Sequence, residues 1–127
     1  MNAAYTGMSI EKRGNTAVVR LDNPPAHTWT AESLLALTRL VADLNADRET
    51  YALVIAGTGD RFFSAGADLK LFADGDKGRA ATMARRFGEA FEALATFEGV
   101  SIAAINGYAM GGGLECALAC DLRVAEE

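Results

Sequence analysis

The sequence is short of the residues that several functional classes require. It has one histidine, His27, and two cysteines, Cys116 and Cys120, in 127 residues. The cysteines stand at i and i+4 of one expected helix and point the same way, so no disulfide between them is expected. With no histidine nearby, they read as two small buried hydrophobes in a reducing compartment rather than as a redox or metal pair. Basic residues are scarce: 12 Lys and Arg stand against 17 Asp and Glu, for a net charge of −5, and they gather into no stripe. This argues against a nucleic-acid partner, while a local anion site stays compatible with a mildly acidic chain. No run of about 18 apolar residues is present, so no membrane span is expected. Residues 1–10 show no basic stretch leading into an apolar run, so no secretory signal is read there and a cytoplasmic location is expected. No linker, low-complexity tract or internal repeat is visible.

Half of the residues are hydrophobic and 23% are charged, an ordinary composition for a soluble globular protein, and 127 residues are enough for one domain with one core. Residues 9–13 and 16–22 predict two strands around a Gly14-Asn15 turn, stopped by Asn23-Pro24-Pro25. A helix is expected over Ala31–Ala46 with Thr30 as N-cap, its stripe formed by Leu34, Leu37, Val41 and Leu44. Tyr51–Ala56 predicts a buried strand, and the order strand, helix, strand predicts a parallel pair. Residues 60–76 read as irregular. A long helix follows over Lys77–Phe97, with Met83, Phe87, Phe91, Leu94 and Phe97 along one side, a stripe that packs a core. Ser101–Asn106 predicts a strand, Gly112–Ala119 a helix and Asp121–Ala125 a final strand. A chain that stops on a strand leaves an open edge, so this sequence is expected to be the first part of something larger.

Two glycine-containing loops and one carboxylate carry the chemistry. Each loop, Phe63-Ser64-Ala65-Gly66-Ala67-Asp68-Leu69 and Gly111-Gly112-Gly113, is expected to follow a buried strand and precede a helix. Small residues let backbone approach a ligand closely, and N–H groups at a helix start favour a negative oxygen. A pair of such donors suits the oxygen of a thioester enolate, where losing one donor typically costs about 3–4 kcal/mol of transition-state stabilisation. Glu115 falls in the first helical turn after the last glycine. Alone it reads as a surface residue complementing the helix dipole. Beside an oxyanion hole it reads as a proton carrier whose affinity rises in a closed, apolar site.

The Phe63–Leu69 segment together with Asn106-Gly107-Tyr108-Ala109-Met110-Gly111-Gly112-Gly113-Leu114-Glu115-Cys116-Ala117-Leu118-Ala119-Cys120-Asp121 resembles the crotonase family, the enoyl-CoA hydratases and isomerases. The likeness runs from about Ser9 onward. It implies an α/β fold, a crotonase-like ββα spiral that is incomplete in this chain, with residues 1–127 forming the N-terminal part of the domain. It implies that the backbone N–H groups of Ala67 and Gly112 form the oxyanion hole, with Gly111 beside it, and that Glu115 is one of two catalytic glutamates, the other lying beyond residue 127. Backbone around Ala65, Ala67 and Leu69 would meet the adenine end of coenzyme A. Lys70 would either contact a coenzyme A phosphate or stand solvated. The implied substrate is an acyl-CoA thioester, with coenzyme A as part of the substrate, no separate cofactor and no metal, and the implied assembly is a trimer or a dimer of trimers.

Three functions follow for comparison: hydration of a trans-2-enoyl-CoA, which leads; double-bond isomerisation by a member of the same family; and a non-catalytic acyl-CoA-binding or assembly module. His27 is expected to be solvent-exposed and not catalytic. Trp29 either packs under the first helix, the favoured reading, or lines the acyl pocket.

Overall fold

The computed structural model describes residues 5–126. Strands β1 (Met8–Arg13) and β2 (Thr16–Leu21) form an antiparallel hairpin in which Arg13 faces Thr16. In β2, Ala17, Val19 and Leu21 are buried while the alternate residues are only half-buried, the two-residue period of a strand covered on one face.

Helix α1 (Ala31–Ala46) opens on a reciprocal cap: Ser33 N–H donates to Thr30 Oγ1 at 3.0 Å, and Thr30 N–H donates to Ser33 Oγ at 2.9 Å. It buries Leu34, Leu37, Leu40, Val41 and Leu44, each fully buried Leu being worth about 2 kcal/mol. The helix delivers the chain to β3 (Ala52–Gly57), parallel to β2.

From there the chain repeats a unit. Strand β3 is followed by β4 (Phe62–Ser64), a 3-10 turn (Leu69–Phe72) and helix α2 (Lys77–Ala95); β5 (Val100–Ile105) is followed by β6 (Tyr108–Ala109) and helix α3 (Gly112–Ala119). β7 (Leu122–Ala125) then begins a third pass. One sheet has the order β1-β2-β3-β5-β7, and β4 pairs in parallel with β6 in a second, two-stranded sheet. Two successive ββα turns thus climb side by side, the spiral implied by the resemblance.

The sequence showed no repeat because β4 has three residues and β6 two, too few to carry a period. For the same reason residues 60–76 are not wholly irregular: they hold β4 and the 3-10 turn. Helix α2 ends at Ala95 rather than at Phe97: Thr96 leaves the helical region at φ −104°, ψ 11°, and Phe97 N–H bonds the Leu94 carbonyl at 3.3 Å, three residues back, instead of the Ala93 carbonyl. Phe97 remains buried beyond the helix end. Among the described residues no helix is long and apolar enough to cross a membrane.

Candidate active site

The site is built where β4 and β6 end side by side. At the end of β4, Ser64 is fully buried; its hydroxyl donates to the His27 carbonyl at 2.8 Å and accepts from Gly66 N–H at 3.3 Å. Ala65 N–H donates to the Ala26 carbonyl at 2.9 Å. The next residues form a parallel bridge with the segment before α1: Trp29 N–H donates to the Gly66 carbonyl at 2.7 Å, and the Trp29 carbonyl accepts from Asp68 N–H at 3.1 Å. In a parallel bridge the residue between two such bonds turns its own peptide groups the other way, so Ala67 N–H faces away from Trp29.

The second loop is locked onto the first. Met110 N–H donates to the Ser64 carbonyl at 3.0 Å. Gly113 must be glycine, because a Cβ there would lie 2.0 Å from the Ser64 carbonyl oxygen. Within the loop, Gly113 N–H reaches the Met110 carbonyl and Glu115 N–H reaches the Gly111 carbonyl. Gly112, at the first position of α3, is left as a helix-start donor without an intrahelical acceptor. Neither Ala67 N–H nor Gly112 N–H donates to any acceptor among the described residues. Gly66, at φ +102°, joins the two: a Cβ on it would lie 3.0 Å from the Met110 carbonyl oxygen and 3.1 Å from Gly112 N. Two loops far apart in sequence are therefore pressed together with one unpaired N–H on each.

Glu115 lies in the first turn of α3, as the spacing predicts, but its side chain is exposed and has no hydrogen-bond or ion-pair partner among the described residues. Met110, Leu114 and Leu118 of the same segment are 45–59% exposed, so no described element covers this part of α3 and the described residues alone form no closed, apolar surround for Glu115. Ala65, Ala67 and Gly112 are half-buried and Gly111 is exposed; Leu69 is 79% exposed and Lys70 stands free on the 3-10 turn, its N–H held by Asp68 Oδ1 at 3.1 Å. A surface concavity of about 640 Å³ lies elsewhere, its lining including Glu32, Asp76, Arg79 and Thr82.

His27 also departs from expectation. It is buried, at φ +53°, with Nδ1 accepting from Asn23 N–H at 3.0 Å and Nε2 placed 2.7 Å from the Thr58 carbonyl. That pairing requires the Nε2–H tautomer, which donates to Thr58. The ring is a structural tie between loops, and nothing local in the sequence signals it, because Thr58 lies 31 residues away.

Trp29 packs in the core at 2% exposure, edge-on to Phe91 with centroids 5.8 Å apart; Phe91 in turn meets Phe87 at 5.6 Å. Both cysteines are buried, and burial pushes the Cys116 thiol well up and the Cys120 thiol up to about 11. Neither is a nucleophile at neutral pH. The residue that sequence reasoning passed over is Ser64, quoted in the motif yet given no role, although its hydroxyl fixes the first loop.

A sequence model of the enoyl-CoA hydratase/isomerase family matches residues 11–127. Among characterised relatives, the chain is 35% identical to a crotonyl-CoA hydratase of Syntrophomonas wolfei over 96% of its length and 47% of that protein. It is 34% identical to a short-chain-enoyl-CoA hydratase of Clostridium acetobutylicum over 91% of its length and 45% of that protein. The chain spans about half the length of the curated relatives it matches. Among solved structures, it superposes on DspI of Pseudomonas aeruginosa with a TM-score of 0.93 at 64% identity, covering 95% of this chain and 50% of that one. It superposes on an enoyl-CoA hydratase of Bacillus anthracis with a TM-score of 0.90 at 29% identity, covering 94% of this chain and 47% of that one.

Proposed function

The chain belongs to the enoyl-CoA hydratase/isomerase family, and from that premise we propose that it carries the oxyanion hole and one proton-transfer group of an enzyme that hydrates trans-2-enoyl-CoA thioesters. The observation that carries the reading is the pair of unpaired N–H groups on Ala67 and Gly112, held on two loops that touch at Gly66. A thioester carbonyl oxygen seated between them accepts both bonds. When water adds to C3, the C2–C3 π pair shifts toward the carbonyl and charge gathers on that oxygen; fixed peptide donors and the start of α3 hold it there. Glu115 takes the proton released by the attacking water and, as the enolate collapses, the protonated carboxyl returns it to C2, which completes the addition and restores the carboxylate.

Coenzyme A enters as part of the substrate, with no separate cofactor and no metal. Its adenine end lies along backbone of Ala65, Ala67 and Leu69, with Lys70 near a phosphate and Gly111 beside the thioester. The working enzyme is a trimer or a dimer of trimers in the cytoplasm. Hydration is favoured over isomerisation of the double bond because relatives at 34–35% identity are named as hydratases.

The test is Glu115→Gln in the purified protein, with acyl-CoA affinity measured by calorimetry beside the hydration rate. The expected outcome is a fall in turnover of about 10²-fold or more with affinity retained. Unchanged turnover removes Glu115 from the mechanism, and a wild-type protein that binds no acyl-CoA overturns the reading.

A further inference from the structure

The indole N–H of Trp29 is a buried donor without an acceptor. Nε1 exposes less than 1 Å² and has no hydrogen-bond partner among the described residues. Interior donors are nearly always paired, tryptophan's included. This orphan sits beside the candidate oxyanion hole. An ideal Cβ on Gly112 would lie 3.5 Å from Trp29 Cδ1, the ring atom bonded to Nε1, and 2.8 Å from Phe87 Cε1. The backbone of the same residue grips the other side of the hole through its bonds to Gly66 and Asp68. Trp29 therefore meets both loops, one with its main chain and one with its pyrrole edge.

Resting on the reading above, we propose that Trp29 determines acyl-group specificity: its Nε1–H donates to an oxygen carried on the acyl chain next to the thioester, the hydroxyl that hydration places on C3. Indole N–H is a donor only, so its partner has to be an acceptor oxygen, and a plain hydrocarbon chain supplies none. Two donors already serve the thioester oxygen, from Ala67 and Gly112, and the Trp29 pyrrole edge lies against Gly112. Phe87 is half-buried and packed on the same point, so it is the ring that has to turn aside to admit the oxygen.

The test compares two probes of equal chain length, a 3-hydroxyacyl-CoA and the saturated acyl-CoA, in the purified wild-type protein and in Trp29→Phe. That substitution keeps an aromatic ring and deletes the N–H. Wild type is expected to bind the hydroxylated probe about 10-fold more tightly, and Trp29→Phe to lose that preference between the two probes. Equal weakening of both probes in the variant would mean that Trp29 only packs, and overturns the proposal. Trp29 is the single tryptophan of the chain, so its emission reports the same contact without any substitution. The hydroxylated probe should shift it to the red and the saturated probe should not. Binding of the hydroxylated probe without an emission change also overturns the proposal. Failure of both probes to bind wild type defeats the acyl-CoA reading instead, a separate outcome.

Discussion

Gly66 and Gly112 stand so close that a Cβ added to Gly66 would sit 3.1 Å from the peptide nitrogen of Gly112. One belongs to the loop after β4 and the other to the first turn of α3, so this contact fixes the separation of the two unpaired N–H donors. The pairing of β4 with β6 brings the loops to the same end of a small sheet, and the missing side chains let them close the remaining distance. The site is in this sense a property of the ββα repeat: each turn contributes one donor.

Gly66→Ala should damage both fold and function. Gly66 adopts φ +102°, where an alanine is strained by about 1–3 kcal/mol, and the new methyl must push on the Met110 carbonyl and Gly112 N. A displacement of about 1 Å between positioned groups can cost about 10²-fold in rate. Steady-state hydration should fall by about that factor, with denaturant unfolding showing the smaller stability loss. A variant with normal rates would show that the donor spacing is not set here.

Ser64→Ala should destabilise the protein by about 1–3 kcal/mol, because the His27 carbonyl and Gly66 N–H lose their partner in the interior. Its effect on kcat should exceed its effect on KM, since the loop that moves carries Ala67. Chemical denaturation and initial-rate kinetics check the two halves; a stability change below about 0.5 kcal/mol would place the hydroxyl outside the loop's support.

Much of this arrangement was legible in the residues. The α1 stripe and its Thr30 cap, the parallel β2–β3 pair and the Gly112–Ala119 helix all follow from local period and capping. What local pattern cannot show is a contact made between distant segments. β4 and β6 exist only because they pair with each other, His27 is buried only because Thr58 arrives beside it, and Glu115 is exposed because no described element lies over that side of α3. The motif located the donors; the closeness of Gly66 to Gly112 came from topology.

Cys116 and Cys120 should resist alkylation in the native protein. Burial raises both thiols, Cys120 to about 11, so little thiolate forms at pH 8 and access is poor. Iodoacetamide followed by mass spectrometry should find both cysteines unmodified when native and both modified after unfolding. Rapid native labelling of Cys116 would contradict its full burial.

The exposed apolar residues of α3 and β7 should drive self-association. Leu114, Leu118, Leu122 and Val124 are 45–65% exposed in two consecutive elements, and contiguous apolar surface of this kind tends to become an interface. Light scattering on the 127-residue chain should detect species larger than a monomer, and Leu118→Lys with Leu122→Lys should reduce them. A monodisperse wild-type monomer would refute the expectation.

Asp47 should give the fold an acid-sensitive tie. Its carboxylate accepts from Thr50 Oγ1 at 2.7 Å, from Glu49 N–H at 3.0 Å and from Lys12 Nζ at 3.0 Å, joining β1 to the turn between α1 and β3. The Thr50 hydroxyl foremost, then the Glu49 N–H and the Lys12 ammonium, hold it down to about 2 from an ordinary 3.8. A carboxyl depressed on folding binds protons less readily in the native state than in the unfolded one. Its contribution is therefore complete above about pH 4 and lost as pH falls toward 2. Thermal unfolding of wild type and Asp47→Asn between pH 6 and pH 2.5 should show curves that run in parallel above pH 4 and converge below it, as wild type alone gives up this tie. Curves that keep a constant separation down to pH 2.5 would mean that the Asp47 carboxylate contributes nothing through its charge.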